Sequence, residues 1–174
     1  MKQARDRWRP AYVGIGSNLE QPAGQVRKAF AALESLPDSG FARCSSLYRS
    51  GPMGPSDQPD FVNAAAVLLT RLEPRDLMRR LQAIEDAHGR RRDTPHWGPR
   101  VVDLDLLVLG SLVMDTPDLR IPHPGIPERN FVLFPLADLA PYMLVPGRGS
   151  IRKLIAELGT SGPRIERLEQ GAST

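Results

Sequence analysis

Cysteine is almost absent from this chain of 174 residues: Cys44 stands alone, which excludes an internal disulfide framework and fits a reducing compartment. No apolar run approaches 18 uninterrupted residues, so a spanning helix is excluded and no membrane partner is expected. The opening MKQARDRWRP brings charged and turn residues where the apolar core of an export signal would stand, and cytoplasmic placement is the expectation. Aromatic residues make up only 6% of the chain, and the aromatic-rich signature of an RNA-recognition module is missing. Neither sign of charge dominates: 23 basic side chains stand against 20 acidic ones, for a formal net value of +3. That modest excess argues against a nucleic-acid partner despite a pI of about 9.4. There is no G-x-x-x-x-G-K-[ST] phosphate loop, and GIGSN does not begin a G-x-G-x-x-G fingerprint. A zinc site has no support either, because His88, His96 and His123 lack a coordinating pattern and Cys44 has no companion.

What is present is a soluble globular composition, 41% apolar and 25% charged, long enough for one domain with a real core. AYVGIG reads as a first strand running into a turn. Val26, Ala29, Phe30, Leu33 and Leu36 then recur at helical spacing until Pro37 and Gly40. FARCSSLYR reads as a second strand and DFVNAAAVLLT as a third, with Phe61, Asn63, Ala65, Val67 and Leu69 on one face. Pro74 opens another helix, lined by Leu77, Leu81, Ile84 and His88 and capped by Gly89. VVDLDLLVL follows as a strand. The order strand, helix, strand, strand, helix, strand predicts an α+β fold with a ferredoxin-like split βαβ core. Its antiparallel sheet would be covered on one face by two helices, leaving the other for additional C-terminal elements or a ligand. RIPHPGIPERNFVLFPLADLAP predicts a structured loop and a helix interrupted near Pro135, and SIRKLIAELG a short final helix with a serine cap. The domain is expected over residues 11–165, between a flexible extension at 1–10 and a flexible tail at 166–174.

The stretch HWGPRVVDLDLLVLG, residues 96–110, places two acids inside an apolar strand. Residues two apart in a strand face the same way, so Asp103 and Asp105 project together while Leu104 and Leu106 point to the opposite face. Their Cβ atoms would stand roughly 6.6 Å apart, a spacing that lets the carboxylates bracket divalent cations. Hard carboxylate oxygens suit Mg2+, which retains waters and completes its shell with substrate oxygens. A half-exposed edge strand with two acids in water is the competing account. Against it stands the surrounding chemistry: six arginines, Arg79, Arg80, Arg90, Arg91, Arg92 and Arg100, lie between residues 79 and 100. Guanidinium groups offer forked donors that match phosphate oxygens.

Taken in order, YVGIGSNLE, SSLYRSGPMGPSDQPDFVNAAA, HWGPRVVDLDLLVLG and IPHPGIPERNFVLFPLADLAP closely resemble the 6-hydroxymethyl-7,8-dihydropterin pyrophosphokinase family over roughly residues 11 to 160. The resemblance implies transfer of the β,γ-pyrophosphoryl group of ATP to the hydroxymethyl oxygen of the reduced pterin, releasing AMP, as a step of folate biosynthesis. It implies that Asp103 and Asp105 hold two Mg2+ ions with ATP. It makes Phe61 and Phe131 the two faces of an aromatic clamp on the pterin, with Asn63 meeting the edge of the heterocycle and Ser50 and Met53 contacting it from the loop. Arg90, Arg92, Arg100, His123 and Arg129 match positions that meet ATP or its phosphates, Arg90 and Arg92 counting also as catalytic, and Trp97 closes over the site. A monomer is expected. The chain departs from the family pattern at His96, where a permanent cation is common, at Gly51, which replaces a frequent proline and adds backbone freedom, and at Pro124, which removes an aromatic beside His123.

Overall fold

The computed structural model describes residues 7–89 and 98–169. The first strand, β1 (Arg9–Ser17), buries alternate residues, with Ala11, Val13 and Ile15 turned to one face. Helix α1 (Pro22–Glu34) starts on a proline, as a residue lacking an N–H can, and buries the stripe Val26, Ala29 and Leu33. Leu36, just beyond its end, joins the same core.

The single strand expected over FARCSSLYR is in fact two, β2 (Ser39–Cys44) and β3 (Tyr48–Ser50). Buried Ser45 and Ser46 separate them: Ser45 N still donates to Ala65 O of the neighbouring strand (2.8 Å), but side chains take the other bonds. The Ser45 hydroxyl accepts from Ala65 N (2.9 Å) and donates to Ser46 O (2.7 Å), and Ser46 N donates to the Asp138 carboxylate (3.0 Å). Such side-chain competition for backbone groups is what ends a strand. β4 (Phe61–Thr70) pairs with both pieces and with β1, all antiparallel. Helix α2 (Pro74–Ala87) follows, with His88 at its C-cap and Gly89 one residue further on at φ 82°, the left-handed position that glycine fills without strain.

β5 (Asp103–Leu109) starts two residues later than VVDLDLLVL suggests. Asp103 lies opposite Gly16 near the end of β1, and before it Arg100 N donates instead to the side chain of Asn18. A small hairpin of β6 (Met114–Thr116) and β7 (Leu119–Ile121) leads to a 3₁₀ turn at Ile126–Glu128 and helix α3 (Asn130–Leu139). The interruption expected near Pro135 does not occur. Proline there removes one ladder bond, and buried Leu133 and Leu136 on either side of it hold the helix to the sheet. β8 (Leu144–Val145) and β9 (Gly149–Ser150) form a second hairpin before α4 (Ile151–Leu158), whose Ser150 cap accepts from Lys153 N at 3.2 Å. The last strand is β10 (Ile165–Arg167).

The large sheet has the order β10-β3-β4-β1-β5 with β2 also on β4, the ferredoxin-like arrangement with its second strand divided. Helices α1 and α2 cover one face, over Val13, Ile15, Leu68, Leu104 and Leu106. On the other, α3 and α4 pack on Ala65, Leu107 and Val108. They cover only part of that face, and the remainder becomes a cleft. The boundaries expected at 10/11 and 165/166 both fall inside strands. Arg9 already pairs with Thr70, and Ile165–Arg167 pairs with β3 while Leu168 N donates to Leu47 O (2.8 Å), so residues 166–168 form part of the sheet edge rather than a loose tail. Among the described residues, no helix is long and apolar enough to cross a membrane.

Candidate active site

Strand register assembles the cleft. Gly16 of β1 stands between Asn63 of β4 and Asp103 of β5, and Gly14 between Ala65 and Asp105. Leu104 and Leu106 are 1% and 2% exposed on the helix-covered side, so alternation turns both carboxylates to the opposite, open side. The two glycines keep the floor between them low. A Cβ on Gly16 would stand 3.2 Å from Asn63 Oδ1, and one on Gly14 3.3 Å from Leu107 Cδ1. The resulting cavity of about 220 Å³ is bounded by the β3–β4 loop, the start of β5, the segment around His123 and the first turn of α3.

Every expected site residue that the structure describes lines this cavity. At one end, Phe61 and Phe131 come from β4 and α3. Asn63 donates from Nδ2 to Ser50 Oγ at 2.9 Å in a buried contact, which orients its amide and leaves a second N–H and the carbonyl oxygen for a ligand. Met53 lies on the same rim, 44% exposed. At the other end, Asp103 and Asp105 face Arg100, His123 and Arg129. Arg100 Nη1 reaches Asp103 Oδ1 at 2.7 Å, joining a cation to the carboxylate pair. Arg90, Arg92 and Trp97, with the departure at His96, lie outside the described residues. Pro124 is exposed and does not line the cavity. Gly51 uses the N–H a proline would lack: it donates to Arg164 O at 3.1 Å, so the loop is tied where freedom was expected.

His123 is held from both sides of its backbone and ring. Its N–H donates to Leu107 O (2.8 Å), and its Nδ1 accepts from Gly125 N (3.0 Å), so the neutral ring carries its proton on Nε2. Burial, reinforced by the Arg129 guanidinium and opposed by Asp103, pushes its pKa down to about 4. Arg129 in turn lies against Gly125, where a Cβ would come within 2.7 Å of its Cζ and Nε atoms. Gly125 thus serves both neighbours, donating to one and making room for the other.

Two further residues escape sequence reasoning. Asn18, 2% exposed, exchanges backbone and side-chain bonds with Arg100 and donates from Nδ2 to Gln58 Oε1 (3.1 Å) and Pro59 O (3.0 Å). It fastens the approach to β5 and the β3–β4 loop to the end of β1. Its only signal was an asparagine directly after the GIGS turn. Glu85, 1% exposed, accepts the Leu104 N–H at 2.7 Å. Strand β5 is an edge of the sheet, and that amide, lying between the two aspartates, is closed by a carboxylate from α2. An acid in the buried stripe of Pro74, Leu77 and Leu81 was the clue.

Among the described residues, no group of three or more His, Cys, Asp or Glu side chains could enclose a metal ion. A pair of carboxylates open to a cleft fits instead a hard ion such as Mg2+, which completes its coordination with waters and ligand oxygens.

Comparisons with known proteins converge. The sequence profile of the family described as 7,8-dihydro-6-hydroxymethylpterin-pyrophosphokinase matches residues 12–141. A 2-amino-4-hydroxy-6-hydroxymethyldihydropteridine pyrophosphokinase of Pseudomonas aeruginosa is 48% identical over 157 residues, covering 90% of this chain and 95% of that protein. The protein of the same name from Haemophilus influenzae is 40% identical over 147 residues, with 84% and 91% covered. Among solved structures, a Plasmodium falciparum HPPK-DHPS with pteroate superposes with a TM-score of 0.68 at 14% identity, over 87% of this chain. This chain spans only 42% of that longer protein, and the likeness speaks to the fold alone.

Proposed function

The chain belongs to the 7,8-dihydro-6-hydroxymethylpterin-pyrophosphokinase family and transfers the β,γ-pyrophosphoryl group of ATP to the hydroxymethyl oxygen of 6-hydroxymethyl-7,8-dihydropterin in folate biosynthesis; from that premise we propose that the cleft between α3 and β5 is where the transfer takes place. The observation that carries this reading is the register of three strands, which sets a polar amide, two glycines and two carboxylates side by side on one open face.

Asp103 and Asp105 would hold Mg2+, two ions with ATP, and the bound metal supplies charge that offsets the negative charge developing on the transferred group. Arg100 and Arg129 offer forked donors to the phosphates, joined by Arg90 and Arg92. His123, neutral with its proton on Nε2, donates a hydrogen bond there without adding charge. At the other end, Phe61 and Phe131 stack on the flat pterin, and Asn63, oriented by Ser50, meets its donor and acceptor edge. Met53 and Trp97 close over the rim and exclude water. The nucleophile is the substrate hydroxyl. What these residues supply is placement of that oxygen against the β-phosphorus and an electrostatic setting in which the pyrophosphoryl group leaves AMP.

Product analysis tests this. With ATP, Mg2+ and the reduced pterin, the protein yields AMP and the pterin diphosphate. ADP with a pterin monophosphate would overturn the assignment of the transferred group.

A further inference from the structure

The segment Gly162–Leu168 lies beyond the family profile, which ends at residue 141. It is nevertheless bonded to both walls of the cleft's aromatic end. Pro163 O accepts from Asn130 Nδ2 at 2.8 Å, and Asn130, 6% exposed, is the residue next to Phe131 on α3. One residue later, Arg164 O accepts from Gly51 N at 3.1 Å, and Pro163 lies beside Gly51 itself. Then Ile165 pairs with Ser50, whose hydroxyl accepts from Asn63. Three consecutive residues of this segment thus meet α3, the β3–β4 loop and β3 in turn. Where the segment turns toward α3, Gly162 adopts φ 107°, and a Cβ there would stand 2.9 Å from Asn130 Nδ2 and 3.0 Å from its Cγ. The closeness that lets Asn130 reach Pro163 depends on that missing side chain.

We infer that residues 162–168 are a positioning strap of the pterin pocket, which sets the distance between Phe131 on one wall and Ser50, Gly51 and Asn63 on the other. α3 and β3 are joined directly further along, where the Tyr48 hydroxyl donates to Asp138 and its ring meets Phe134, whereas at the mouth of the cleft the strap links the two walls through its hydrogen bonds. Flat heterocycles stacked between two rings are sensitive to ring separation, so a wall freed to drift loses pterin affinity before anything else. The nucleotide end lies on β5 and the His123 segment, to which the strap makes none of these bonds. Its effect is therefore selective.

The inference rests on the assignment of the aromatic end to the pterin, and the experiment separates the two. Equilibrium dissociation constants for 6-hydroxymethylpterin and for a non-hydrolysable ATP analogue would be measured on full-length Asn63→Ala, Gly162→Ala and Asn130→Asp proteins, with thermal unfolding of each. Asn130→Asp keeps the side-chain volume but replaces the donor facing Pro163 O with an acceptor. We expect all three to weaken pterin binding, the two strap variants by about tenfold, with binding of the ATP analogue within about twofold of the parent. If Asn63→Ala leaves pterin affinity intact, the pocket assignment fails. If Asn63→Ala weakens it but Asn130→Asp does not, or if the strap variants weaken both ligands equally, the strap is overturned. Should Gly162→Ala fail to fold, Asn130→Asp decides alone.

Discussion

Glu85 provides a sharp test of how the acidic strand is held. Its Oε1 accepts the Leu104 N–H at 2.7 Å, in a contact buried between α2 and β5, and that amide lies between Asp103 and Asp105. Replacing Glu85 by alanine orphans the amide, at a cost of about 1–3 kcal/mol, and removes one methylene along with the carboxylate from a closed site, for about 1 kcal/mol more. The sum, about 2–4 kcal/mol, is a large part of the roughly 5–15 kcal/mol that stabilises a typical domain. Glutamine keeps an oxygen for the same amide and should cost about 1 kcal/mol. Urea unfolding would show the midpoint of Glu85→Ala well below that of Glu85→Gln, with the slope unchanged. Turnover should fall in the same order, by about tenfold or more for alanine, because the strand bearing both carboxylates loses its outer restraint. An alanine variant as stable and as active as the parent would show that this bond does not hold the strand. So would a glutamine variant as damaged as alanine, since acceptance of the Leu104 N–H would then not be what matters.

Gly125→Ala should fold normally, because φ −77° suits any residue and only the flexible end of Arg129 stands in the way of a Cβ. Steady-state kinetics would show the KM for ATP raised about five- to tenfold, and no further rise when the change is added to Arg129→Ala. For His123 the folded-state pKa of about 4 lies below the unfolded value of roughly 6.5. The unfolded chain therefore binds the extra proton first, and stability present above about pH 6.5 is lost as pH falls toward 4. After discounting for partial exposure, about 2 kcal/mol is at stake. His123→Gln should flatten that part of the stability profile measured by urea unfolding, and an unchanged slope would contradict the assignment.

Much of the sheet was legible in the sequence because its signals were local. Alternation along AYVGIG marked the first strand, Pro74 stands at the first position of its helix, and the order of elements pointed to the ferredoxin-like arrangement. The paired acids were legible for the same reason, since strand geometry alone turns both to one side. Features made by distant partners were not. The break between β2 and β3 depends on Asp138, 92 residues from Ser46, and on Ala65. Continuity of α3 through Pro135 depends on burial against the sheet outweighing one lost bond. Strand β10 pairs with a segment more than a hundred residues earlier, and nothing in IER announces it. The same holds for Asn18 and Glu85. Each looks like an ordinary turn or helix residue until folding brings the backbone it serves alongside.

On this reading Asp103 and Asp105 hold the metal through which ATP is bound. That role is tested most directly by titrating a non-hydrolysable ATP analogue into the parent, Asp103→Asn and Asp105→Asn proteins by calorimetry, with and without Mg2+. Mg2+ should strengthen binding to the parent by at least about tenfold, and each substitution should remove most of this gain while the 6-hydroxymethylpterin affinity persists. An equal Mg2+ dependence in all three proteins would contradict it.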